Sequence, residues 1–192
     1  MNRGKTTFGG YDWLILDMQN GKMHVITEKV IEKRPYHHEE AEITWETCDM
    51  RKYLNGELYN SFNETDRVRI AEVTNENPDN PWDGTEGGNA TTDKVFLLSI
   101  DEVVRHFGDS GQLKAKPTGP KGESWWFDDQ YSVDRSVKLG SKNAWWWLRS
   151  PGYNGSCAAY INTSGRVHIH GGGVNGKLGG VRPALWLKDG GN

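Results

Sequence analysis

The stretch Trp145–Leu187, WWWLRSPGYNGSCAAYINTSGRVHIHGGGVNGKLGGVRPALWL, decides how this chain folds. Its two ends are heavy: three tryptophans and Arg-Ser-Pro-Gly at one, Val-Arg-Pro-Ala-Leu-Trp-Leu at the other. Its middle is Gly, Asn, Ser, Tyr, His and Arg. Period-two alternation predicts strands over 144–148, 157–161, 166–170 and 181–187, separated by Gly and Asn clusters. In Ala159-Tyr160-Ile161-Asn162, Ala and Ile share one face while Tyr and Asn share the other. In Arg166–His170, Val167 and Ile169 oppose Arg166, His168 and His170. Asn162–Gly165 makes the turn. The pattern is a hairpin with one buried and one wet face.

The wet face has an unusual composition. Lys, Glu, Gln, Met and Trp account for 42 of the 192 residues. Pro151–Gly176 spans 26 residues and contains none of them, where composition predicts about six. Codons ending in C or T cannot encode those five amino acids, yet they encode Asn, Tyr, Ser, Gly, His and Arg. A segment diversified at the adenines of AAC or AAT codons would have this composition.

Working outward, Trp13–Asp17 and Met23–Thr27 flank Asn20-Gly21, a strong hairpin signal. Met50, Tyr53, Leu54, Leu58 and Phe62 predict a helix within 45–62. Asn63 caps a further short helix running through Ile70. Residues 74–93 and 108–124 are expected to be polar loops. Lys94–Leu98 is expected to be a strand. Ser99 and Glu102 form a capping box ahead of Val103, Val104 and Phe107, and Gly108 ends that helix. Past Trp125 the pattern is β throughout. Helices among strands in one chain predict an α+β fold, and 192 residues suit one domain, 1–192.

Bulk properties exclude several functions. Net charge is −3 without a basic stripe, which argues against nucleic-acid binding. No apolar run is long enough for membrane insertion, and the N-terminus shows no signal-peptide core. Location is therefore open. Cys48 and Cys157 are expected to be free thiols. There is no nucleophile elbow, phosphate-binding glycine loop or zinc-protease helix. His168 and His170 share a strand face but are too few to hold a metal. His37-His38-Glu39-Glu40 is read as a solvated turn. The loop containing Asp79, Asp83 and Glu86 lacks EF-hand spacing. No catalytic residue, cofactor or metal site is expected.

At this point a resemblance can be stated. The chain resembles the variable proteins of diversity-generating retroelements, which have a C-type-lectin-like fold and a C-terminal variable region rewritten by adenine-directed mutagenesis. More closely, "WWWLRSPG…GRV…GGVRPALWL" is similar to the frame of a bacterial and phage domain family. "FGGYDWLILD", "TWETCDMRKYLN" and "TTDKVFLLSIDEV" extend the match from Phe8 to Leu187. The resemblance implies an α+β, C-type-lectin-like domain of the formylglycine-generating-enzyme-like branch. It also implies a display region, 153–176, that recognises a protein or glycan. The implied contacts are Tyr153, Asn154, Ser156, Tyr160, Asn162, Ser164, Arg166, His168, His170 and Asn175. Trp125 and Trp126 are read as core more readily than rim. Arg149 and Arg182 are read as buried structural guanidiniums. The alternatives are a degenerate formylglycine-generating-type enzyme using Cys157 or the His pair, and a structural domain of a surface or phage assembly.

Overall fold

The structure is a computed structural model that describes residues 3–116, 118 and 125–188. It opens with β1 (Lys5–Phe8) and the hairpin of β2 (Tyr11–Gln19) and β3 (Lys22–Thr27). Asn20 and Gly21 both take positive φ, 49° and 68°, the geometry that matches the twist of a two-residue hairpin. After the short β4 (Glu32–Lys33) comes α1 (Asp49–Tyr53), which continues through a π-helical turn, Leu54–Leu58, into α2 (Tyr59–Ser61). Met50, Leu54, Leu58 and Phe62 are all buried. They recur every fourth residue, a spacing that drifts by about 40° per step on a pure α-helix. The wider π turn drifts the other way and keeps the four on one side. Asn63 caps α3 (Glu64–Arg67) by accepting from Asp66 N. That helix stops before Ile70, which instead begins β5 (Ile70–Ala71).

The polar loop expected over 74–93 contains a hairpin, β6 (Val73–Asn75) with β7 (Thr91–Asp93). The strand expected at Lys94–Leu98 is also corrected. The segment makes one bridge, Phe96 with Ala184. Val95, Phe96, Leu97 and Leu98 are buried, and side chains replace the ladder. Asn55 Nδ2 donates to Val95 O at 2.9 Å, and Arg149 Nη1 donates to Leu97 O at 2.9 Å. An apolar run reads the same in sequence whether strands or side chains satisfy its backbone. Next is α4 (Ile100–Phe107), entered through the Ser99/Glu102 capping box and ended by Gly108 at φ 90°. The loop expected over 108–124 includes a 3₁₀ turn at Gln112–Lys114; residues 117 and 119–124 of it lie outside the described residues.

Beyond β8 (Trp126–Phe127) the chain is not β throughout, because α5 (Ser132–Arg135) intervenes. A hairpin of β9 (Val137–Leu139) and β10 (Lys142–Ala144) leads into β11 (Trp146–Pro151), β12 (Cys157–Ile161) and β13 (Val167–Gly173). β14 (Gly180–Val181) and β15 (Ala184–Lys188) end the described chain. One sheet runs β1-β2-β3-β15-β5; the other runs β4-β14-β11-β12-β13-β8. β15 pairs antiparallel with β3, Leu185 opposite Val25, so the C-terminal strand closes onto the N-terminal hairpin. β11 and β14 pair in parallel. The fold is mixed α+β and strand-rich, and one hydrophobic cluster extends from Phe8 to Leu187.

Buried polar groups tie these pieces together. Asp93 is 1 % exposed. Its carboxylate accepts from Trp45 Nε1 (3.0 Å), Arg51 Nε (2.6 Å), Asn75 Nδ2 (3.0 Å) and Thr91 Oγ1 (2.7 Å). It thus joins the helix, the 73–93 hairpin and the core. Asp93→Ala leaves these donors and the guanidinium without their acceptor. The expected cost is about 3–5 kcal/mol, read as a lowered urea midpoint; a midpoint equal to wild type would remove Asp93 from this role.

Two histidines make the core pH-sensitive. His24 is buried, stacked on Trp186 at 4.7 Å and 5.0 Å from the His106 ring. Burial depresses both to about 4, with Glu102 opposing and Arg105 assisting. The unfolded chain takes up these protons near pH 6.5, whereas the folded chain resists them until about pH 4. Stability is therefore full above about pH 6.5 and declines as the pH falls toward 4. The melting temperature should drop through that window, and His24→Phe should flatten the slope. Equal slopes in the two proteins would refute this assignment.

Candidate functional site

β11 is buried along its whole length and supports β12 and β13 beside it. Arg149 is 4 % exposed, and its guanidinium donates to Leu97 O (2.9 Å), Glu76 O (3.2 Å) and the carboxylate of Glu102. Burial raises Glu102, but Arg149 more than compensates and holds its carboxyl below the usual range. Arg182 is buried by a different means. It donates to one carbonyl, Thr27 O, at 3.0 Å and lies 4.8 Å from the centre of the Trp146 ring. Desolvation lowers it to about 9. Both arginines are buried as expected, Arg149 among polar partners and Arg182 mainly between the Phe107 and Trp146 rings.

The alternation over β12 and β13 is present in three dimensions. Ala159, Ile161, Val167 and Ile169 are fully buried; Tyr160, Asn162, Arg166, His168 and His170 are half-buried on the other side. Two attachments fix the backbone beneath. Asn80, from the 74–93 loop, donates to Pro151 O, Gly152 O and Ile169 O at 2.9, 3.1 and 2.9 Å. Arg135 donates to Gly165 O at 2.9 Å and pairs with Asp129 at 2.5 Å. Gly165 has φ 86°, and a Cβ there would lie 1.7 Å from Ser132 O. No other residue can make that turn against α5.

The outward side chains form two aromatic stacks. His170 lies between Tyr153 (4.0 Å, 9°) and Trp125 (4.7 Å, 4°). His168 stacks on its cross-strand partner Tyr160 at 4.5 Å, and Tyr160 meets Trp145 at 5.1 Å. Two cavities open here. One, about 840 Å³, lies over Trp125, Tyr153, Cys157 and His168. The other, about 360 Å³, lies over Trp145, Trp147 and Asn162. Tyr160 and the glycines 172–173 line both, so the tyrosine separates them. Burial, then the neighbouring His170, lowers His168 to about 4 and keeps it neutral. Arg166 is paired with Asp128 at 2.8 Å and lies 4.3 Å over Trp126. The face is thus aromatic, its arginine charge paired with Asp128, and Glu40 lines the larger cavity.

The ten residues expected as contacts divide by role. Tyr153, Tyr160, Arg166, His168 and His170 present the surface. Asn162 Oδ1 accepts from Ser164 N, Ser164 Oγ and Arg166 N, so Asn162 and Ser164 build the turn. Asn154 Oδ1 likewise accepts from Ser156 N and Oγ. Asn175 is exposed but lines neither cavity. Trp125 and Trp126, expected in the core, are half-buried at the rim. Asn80, Asp128 and Trp145 were missed. Only the approach of distant segments reveals them, through hydrogen bonds for Asn80, an ion pair for Asp128 and ring contact for Trp145.

The turn read as solvated is exposed at His38, Glu39 and Glu40, whereas His37 is 8 % exposed. It converges with His38 and Glu39, an atom of each lying within 4.8 Å of the others. In the 74–93 loop, Asp79 accepts from Gly87 N and Asp83 pairs with Lys116, so both are engaged by protein groups. Cys48 and Cys157 are free thiols.

These contacts separate floor from surface. Ile169→Ala should cost about 2–5 kcal/mol, and Asn162→Ala about 1–2 kcal/mol through its lost turn bonds. Tyr153→Ser should stay within about half a kcal/mol. Chemical denaturation of the three variants checks the ranking; an Ile169→Ala cost no larger than that of Tyr153→Ser would invalidate it.

No curated protein and no solved structure shows a match to this chain. A family model described as a domain of unknown function, DUF6273, matches residues 20–189. The frame strands and the whole 153–176 face fall inside that match, and the chain belongs to the DUF6273 family.

Proposed function

We propose that this chain is a ligand-binding display domain on a C-type-lectin-like scaffold. Its 153–176 face is diversified to recognise a protein or glycan target. The observation that carries the reading is the division of β12 and β13 into a buried, hydrogen-bonded floor and an outward aromatic face. Stacked Tyr, Trp and His rings supply contact area at little conformational cost. The floor is pinned by Asn80, Arg135 and the buried β11, so little ordering remains to be paid for on binding. An aromatic surface beside the tryptophan-lined cavity suits sugar rings or apolar side chains. Cys157 offers no support for an enzyme reading: burial raises its thiol, and the side chains bonding to it are Ser156 and Tyr153 rather than a base. Among the described residues no helix is long and apolar enough to cross a membrane.

Two measurements test the proposal. Sequencing the locus across sibling isolates should find substitutions concentrated at AAC- and AAT-derived codons within 153–176, sparing Trp145–Ser150 and Val181–Leu187. An even spread would end the diversification reading. Glycan and peptide arrays probed with the chain should give hits that Tyr160→Ser and His168→Ser abolish without unfolding it. Hits insensitive to both substitutions would place recognition elsewhere.

A further inference from the structure

We propose that His37, His38 and Glu39 form a zinc site beside the display face. Among the described residues they are the one group of three His, Cys, Asp or Glu whose ligand atoms converge. Three successive side chains meet at a point only if the backbone is tightly bent, and here the frame holds that bend. Tyr36 is buried and its hydroxyl donates to Arg149 O at 3.0 Å. His37 N donates to Val174 O at 2.9 Å, and His38 N to Asp49 Oδ2 at 3.1 Å.

Asp49 orients the His38 imidazole. Its Oδ2 contacts His38 Nδ1, which leaves His38 Nε2 facing Glu39 Oε1 at 3.7 Å. A carboxylate on the non-ligating nitrogen is the usual support of a metal-bound histidine. Ligands bound to zinc at about 2.0–2.2 Å in a tetrahedron stand roughly 3.3–3.6 Å apart, so closing the 3.7 Å gap needs little movement.

His37 supplies independent evidence. Its Nδ1 is buried and makes no hydrogen bond, although Asp49 Oδ2 is 3.1 Å away, because the two are not aligned for one. A buried polar nitrogen without a hydrogen bond is costly, and a ring held beside a second imidazole and a carboxylate has a metal ion as its natural partner. Two nitrogens and one oxygen, with no thiolate, favour zinc over calcium or magnesium. Three protein ligands leave a fourth position, and the exposure of His38 and Glu39 opens it to solvent. Glu40, the next residue, lines the larger cavity of the face. The core does not depend on this site, so folding should not require the ion. The inference is independent of the display reading.

The test is calorimetric titration of zinc chloride into the full-length, untagged chain, with cobalt substitution as an optical probe. One zinc per chain and a tetrahedral cobalt spectrum are expected. His38→Ala and Glu39→Gln alter exposed side chains and should keep the wild-type melting temperature while weakening zinc by about tenfold or more. Asp49→Asn should weaken it similarly. His168→Ala and His170→Ala should bind as wild type does. Absence of saturable binding, binding unchanged in both His38→Ala and Glu39→Gln, or loss confined to the His168 and His170 variants would each overturn the proposal.

Discussion

The burial of β11 on every side is the constraint from which most of this structure follows. Trp146, Trp147 and Leu148 bury mainly apolar surface, the two indoles donating to Arg135 O and Arg34 O, and Arg149 and Ser150 bring further polar groups into the same dry layer. Leaving them unpaired would cost several kcal/mol. The structure answers with specific partners. Arg149 takes carbonyls from Glu76 and Leu97 and the carboxylate of Glu102. Ser150 Oγ accepts from Ile100 N at the start of α4. One strand thereby dictates where the 74–93 loop, the buried 94–98 segment and α4 must lie.

That arrangement explains how a segment poor in core residues can be well ordered. Pro151–Gly176 has few large apolar side chains, yet its backbone is held by Asn80, Arg135 and the β11 ladder. Positional order comes from groups outside the segment, or from those at its turns. On the proposed reading the outward rings contribute little to stability, which leaves their identity free to change. Separating what holds the chain from what faces outward is the physical requirement for a surface that varies without unfolding.

Local chemistry was legible where it is self-contained. Asn20-Gly21, the Ser99/Glu102 capping box and the Asn63 cap each act through neighbours within a few residues, so the sequence alone reveals them. The hairpin alternation of β12 and β13 was readable for the same reason. Apart from the short local helix α5, the readings that failed depended on distant partners. Lys94–Leu98 has strand composition, but Asn55 and Arg149 occupy the positions of its ladder. His37 has the sequence context of a solvated turn, and it is buried because Val174 and Asp49 come to meet it.

The sequence by itself determined the mixed α+β class, the positions of the principal hairpins and caps, and which residues of 153–176 face inward. Periodicity and short-range capping encode these directly. Tertiary structure alone decided how the face is built. It paired His168 with Tyr160, set His170 between Trp125 and Tyr153, and drew His37, His38 and Glu39 to one point. It also divided the ten expected contacts into surface rings and turn-builders. These outcomes rest on the approach of segments tens of residues apart, and that approach is set by packing around β11, which no local pattern records.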